Sequence, residues 1–144
     1  MTHENAGNYS AKHPPDKKLN LRIAGYVKLH AIKGRVSCAS GHKIAVKLNV
    51  QPAEVGIPID LLEMRISKCQ LGLFGYSPEK NIVKPAEKVS PELEEAILKT
   101  LSDNRLPCAD AWEIAKRFSI PKMEVSSACE ALKIKISACQ LGAF

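Results

Sequence analysis

Residues 38–74 and 108–144 align at a constant offset of 70 without a gap, and 14 of the 37 positions are identical. The shared residues are Cys38/Cys108, Ala39/Ala109, Ile44/Ile114, Ala45/Ala115, Glu54/Glu124, Val55/Val125, Leu62/Leu132, Ile66/Ile136 and Ser67/Ser137. The block Cys69-Gln70-Leu71-Gly72 then matches Cys139-Gln140-Leu141-Gly142, and Phe74 matches Phe144. Two copies at so long a period exclude a solenoid and point to two copies of one small domain. Modules of about 55–60 residues are marginal alone, which favours a pair.

Seven aromatic residues in 144 leave the cores to Ile, Leu, Val and Ala. No apolar run approaches the roughly 18 residues that a transmembrane helix needs, and no signal sequence opens the chain, so no membrane partner and a cytoplasmic location are expected. The net charge of +6 is uneven. Residues 19–75 hold eight Lys/Arg against three Asp/Glu, whereas residues 76–144 hold ten of each. Such a basic half suits contact with phosphates, and ordinary solubilising charge explains it equally well.

Residues 1–18 are polar, contain Pro14-Pro15 and lack periodicity, which predicts a disordered tail. Residues 77–89 contain Pro78, Pro85 and five charged residues and read as a linker. The repeats then occupy 19–76 and 90–144. In the second, Ser90 suits an N-cap, Pro91 the first helical position, and Glu92, Glu94 and Glu95 the positive helix end. Leu93, Ile97 and Leu101 share one face, so a first helix is expected over 91–103, ended by left-handed Asn104. Its counterpart is expected over 21–33, with Gly34 as the cap. A second helix carries Ala111, Ile114, Ala115 and Phe118 inward, and Ser119-Ile120-Pro121 turns the chain into a third through Val125, Ala128, Cys129 and Leu132. Leu132, Ile134 and Ile136 alternate with Lys133, Lys135 and Ser137, a strand with one wet face. A short hairpin is expected to follow.

This order resembles the winged helix-turn-helix domains. The residues that carry the resemblance are Ile114-Ala115, Ser119, Ile120 and Val125, and in the first copy Ile44-Ala45, Asn49, Val50 and Val55. They follow the helix-turn-helix pattern of an aliphatic-Ala pair, a small or left-handed turn residue four positions on, and flanking aliphatics. The match spans about twenty residues per copy. The expected fold is therefore mainly α with short β-hairpins, two tandem winged helix-turn-helix repeats.

The resemblance implies a double-stranded DNA partner and a role as a small transcriptional regulator, with a third helix in the major groove. Candidate DNA-binding residues are Lys43, Lys47, Lys122, Ser126, Ser127, Lys133 and Lys135. The first copy fits less well. Its third helix is expected to expose Gln51, Glu54, Asp60 and Glu63, and Gly56 and Pro58 are expected to break or delay it. Its positive charge lies at Lys28, Lys33, Arg35, Lys43 and Lys47. A non-enzymatic protein-interaction adaptor is the alternative.

Four cysteines are paired by the repeat, Cys38 with Cys108 and Cys69 with Cys139, at an intra-copy spacing of 31. One of each pair opens the second helix, where the helix dipole favours a thiolate. Together they suggest zinc, an iron–sulfur cluster or a redox sensor. The absence of Cys-x-x-Cys spacing, and the frequency of Cys in cores, offer the plainer reading of four core residues and no cofactor. Cys129 aligns with Ile59 and reads as core. His3, His13, His30 and His42 form no catalytic arrangement, and an enzyme is not expected.

Overall fold

The computed structural model describes residues 8–144. The described residues are mainly helical, with a few short strands. The elements are a 3₁₀ turn Tyr9–Lys12, then α1 (Leu21–His30), β1 (Arg35–Ser37), α2 (Cys38–Leu48), α3 (Pro52–Leu61) and β2 (Arg65–Ser67), followed by α4 (Pro91–Lys99), β3 (Leu106–Pro107), α5 (Cys108–Phe118), α6 (Lys122–Ala131) and β4 (Ile136–Ser137). The chain divides into two compact units, Met1–Cys69 with Gln140–Phe144, and Gln70–Cys139. The division does not follow the 19–76 and 90–144 repeats. Each Gln-Leu-Gly-x-Phe segment belongs to the unit built from the other copy's helices.

In the first unit, Asn20 caps α1 by accepting from the Ile23 N–H at 3.1 Å. Ser37 caps α2 by accepting from the Ser40 N–H at 3.1 Å. Ile23 and Val27 of α1, Ile44 and Leu48 of α2, Val55 and Ile59 of α3 and Val36 and Ile66 of the strands build the core. α1 ends at His30, three residues before the expected end. Lys33 (φ 52°) and Gly34 (φ 74°) are consecutive left-handed residues. They form a two-residue turn closed by Ile32 N–H to Arg35 O (2.8 Å) and Arg35 N–H to Ile32 O (3.0 Å). Two positive φ angles in succession are what such a turn needs, and Gly meets the second at little cost. The second unit repeats it with Asp103 and Asn104. So Gly34 and Asn104 are left-handed as the sequence suggests, but as turn residues rather than helix caps.

The expected hairpin is replaced by a parallel pair. β1 and β2 run parallel, with Arg35, Val36 and Ser37 opposite Arg65, Ile66 and Ser67. β3 and β4 do the same, with Leu106 opposite Ile136. The reason is topological. The α2–α3 excursion is a crossover that returns the chain to the same end of the ladder, and a crossover joins parallel strands. The alternating run Leu132–Ile136 gives only a short strand, because Lys133 (φ 59°) turns the chain after α6.

α3 runs through both Gly56 and Pro58, against expectation. An interior Pro costs about 3 kcal/mol in a helix, and Val55, Pro58 and Ile59 offset it by being fully buried. Residues 1–7 of the expected disordered tail lie outside the described residues. Further along, the tail is held on α3: Tyr9 is buried, and Glu63 accepts from the Tyr9 and Ser10 N–H groups, both at 2.8 Å.

In the second unit, Ser90 caps α4 by accepting from the Leu93 N–H at 3.2 Å, as its sequence suggests, and α4 ends at Lys99 rather than 103. Ile97, Leu106, Ala111, Ile114, Val125 and Ala128 form its core together with fully buried Leu71. The expected linker is bound into this unit. Ile82 N–H donates to Gly72 O at 2.9 Å, and Ala86 N–H donates to Ser127 O at 3.0 Å.

Candidate functional site

The Ile-Ala pairs and the turn residues that follow them sit where their chemistry places them. Asn49 (φ 54°) and Ser119 (φ 54°) are both left-handed and end α2 and α5. The next N–H, of Val50 or Ile120, donates at 3.0 Å to the carbonyl of Ala45 or Ala115. That bond folds the chain back at once and brings α3 onto α2 and α6 onto α5. Ala45 and Ala115 are each 3% exposed, small residues under a helix–helix packing. Glu54 caps α3 by accepting from the Gln51 N–H at 2.7 Å.

Exposed basic side chains concentrate on the elements of the first unit between residues 19 and 50. From residue 19 to residue 50 the sequence has no Asp or Glu, and Arg22, Lys28, Lys33, Arg35, Lys43 and Lys47 are all exposed. They lie on α1, its following turn, β1 and α2. Lys47 Nζ stands 5.2 Å from the Tyr26 ring centroid, so its stem lies along α1 and its charge stays in water. Four large apolar side chains share these elements: Leu21, Leu29, Ile32 and Val46, 73–83% exposed. Their counterparts are Pro91, Lys99, Ser102 and Lys116, so the feature belongs to the first copy alone.

The third helices are less available than the sequence suggests. Asp60 is buried, contrary to its expected exposure, and pairs with Lys12 Nζ at 3.0 Å and His13 Nε2 at 2.8 Å. Ser126 is 2% exposed, and its Oγ donates to Lys122 O at 3.4 Å. Position 126 faces inward on α6, so it is corrected from a base-reading candidate to a core residue. Ser127 is half-buried and its carbonyl is taken by Ala86. Lys122 is half-buried, its Nζ 4.5 Å from the Trp112 ring centroid. Lys133 and Lys135 are exposed beyond α6. The acid-free basic run from residue 19 to residue 50 was countable in the sequence. The N-terminal segment on α3 was not, because Tyr9, Lys12 and His13 carry no periodic signal.

The strand register carries Cys38 and Cys69 to the same end of the first ladder, directly after Ser37 and two residues after Ser67. Cys108 and Cys139 hold the equivalent places after Pro107 and Ser137. Cys38, Cys69 and Cys108 are buried and Cys139 is half-buried, all as thiols. Among the described residues no three His, Cys, Asp or Glu side chains gather as metal ligands. Cys129 is 1% exposed, and burial, helped by the neighbouring Glu130 charge, pushes its thiol up to about 11. That holds it protonated and inert. No helix among the described residues is long and apolar enough to cross a membrane. Comparison with protein-family models, with curated proteins and with solved structures finds no match to this chain.

Proposed function

We propose that the chain is a small DNA-binding transcriptional regulator of the cytoplasm, built from two tandem winged helix-turn-helix units. The observation that carries this reading is the run from residue 19 to residue 50, with six exposed Lys/Arg and no carboxylate, on α1, β1 and the α2 helix that enters the left-handed turn to α3. Such a concentration of exposed positive charge attracts the phosphate backbone and releases its counterions. With Asp60 and Glu63 engaged by the N-terminal segment, the first unit contributes phosphate contacts more than base contacts, and these position a protein without specifying sequence. Lys122, Ser127, Lys133 and Lys135 of the second unit supply further contacts.

The test is binding to a mixed-sequence duplex across a salt series. Affinity should fall linearly with log salt on a log scale, and neutralising Lys43 and Lys47 should flatten the slope equally on every sequence. Absence of affinity at low salt refutes the reading.

One observation favours a second reading, a protein-interaction adaptor. Leu21, Leu29, Ile32 and Val46 are exposed on the first unit and polar or Pro in the second. Isolated apolar side chains are ordinary on a surface, but a group on neighbouring elements marks an interaction site. Replacing Leu29 and Val46 with Ser leaves the salt slope for DNA unchanged under the first reading and abolishes partner binding under the second.

A further inference from the structure

The Cys-Gln-Leu-Gly-x-Phe ending of each repeat has no part in a helix-turn-helix, yet it is the longest identical block in the sequence. In the first unit, Leu141 is 1% and Ala143 is 9% exposed. Two glycines form their seat. A Cβ on Gly41 of α2 would lie 2.9 Å from Leu141 Cδ1. A Cβ on Gly56 of α3 would overlap the Leu141 carbonyl oxygen and lie 2.8 Å from its carbonyl carbon. Lys12 closes the seat, its Nζ donating to Gly142 O at 2.9 Å while paired with Asp60. In the second unit Leu71, the equivalent residue, is fully buried. Each set of helices is therefore completed by a segment from the other copy.

We propose that this seat is a docking groove for residues 140–144 of a second copy of the chain, so that two chains dimerise by exchanging that segment. Exchange keeps every contact of the closed chain and changes only which chain supplies it, which makes swapped dimers a low-cost route to association. The closed form is favoured by the effective concentration of a tethered segment, of order millimolar. The exchanged dimer therefore accumulates as the protein approaches that range. The proposal is independent of DNA binding.

Sedimentation of the full chain from ~10 μM to ~1 mM should show a concentration-dependent dimer, given that effective concentration. A synthetic peptide of residues 137–144 in excess should return the wild type to monomer. Leu141→Asp should abolish the dimer, because its segment cannot seat. An equimolar mixture of Gly56→Ala, which has a segment but no groove, and Leu141→Asp, which has a groove but no segment, should give a one-to-one dimer by native mass spectrometry. A wild type that stays monomeric, or a dimer that the peptide leaves intact, overturns the proposal without recourse to any variant. Dimerisation of Leu141→Asp at the wild-type level overturns it as well.

Discussion

Replacing Gly56 with Ala sets two effects of opposite sign against each other. Position 56 lies inside α3, where Ala is favoured over Gly by about 1 kcal/mol. On helix propensity alone the variant is stabilised. The close approach of Leu141 reverses that. An added methyl would overlap the Leu141 carbonyl oxygen, and this neighbour is backbone, which has little freedom to yield. The segment must leave its seat. That exposes Leu141, whose burial contributes about 1.5–3 kcal/mol, and breaks the Lys12 to Gly142 bond, about 0.5–1.5 kcal/mol net. The expected outcome is a net loss of about 1–3 kcal/mol, a few degrees in Tm for a chain of this size. Urea denaturation at micromolar protein, followed by circular dichroism, measures it. The decisive comparison is the same substitution in a Leu141→Asp background, where the seat is already empty. There Gly56→Ala should stabilise by about 1 kcal/mol. A Gly56→Ala effect of the same sign and size in both backgrounds would refute the seated segment, since independent sites add.

The remaining expectations concern the helix packing, the N-terminal segment, the basic run and the buried thiol. Ala115→Leu should overpack the contact of α5 with α6 and destabilise by about 1–3 kcal/mol, read from the urea midpoint, and an unchanged midpoint would place Ala115 outside a tight packing. Glu63 is held below its ordinary 4.5 by the Ser10 N–H first and also by the Tyr9 N–H, against an opposing effect of desolvation. Because its folded pKa is depressed, its contribution is complete above 4.5 and is lost as pH falls through the lowered value, so Glu63→Gln should reduce the acid-side fall in Tm, and an unaltered fall counts against the cap. Neutralising both Lys43 and Lys47 should lower the magnitude of the log–log salt slope by about 0.9 for each phosphate contact removed. Cys129, pushed up to about 11, should react with a thiol reagent at mildly alkaline pH only as fast as the protein opens, so its rate should rise with urea.

What the sequence made legible divides by the distance over which its signal acts. Ser90, Asn49, Ser119 and the Ile-Ala pairs act within one helix turn, and all take the conformation or burial that their residue types dictate. Gly34 and Asn104 were legible as left-handed residues but not as turn residues, because one positive φ suits a helix cap as well as a tight turn until its neighbour is known. The parallel ladders, the burial of Asp60 and the seat of Leu141 are decided by residues far along the chain. Asp60 is written as a surface carboxylate and becomes a buried partner only because Lys12 and His13 reach it. Gly56 is the instructive case. Read locally, a glycine two residues before a proline weakens a helix. Its counterpart in the other copy is Ser126, which occupies a regular helix and bonds back to Lys122 O. A residue that local physics disfavours, placed where the sister repeat shows that a side chain fits, indicates that something else approaches that point. The approaching group is the Leu141 backbone. The difference between the two copies therefore carried information about the segment that neither copy carried by itself.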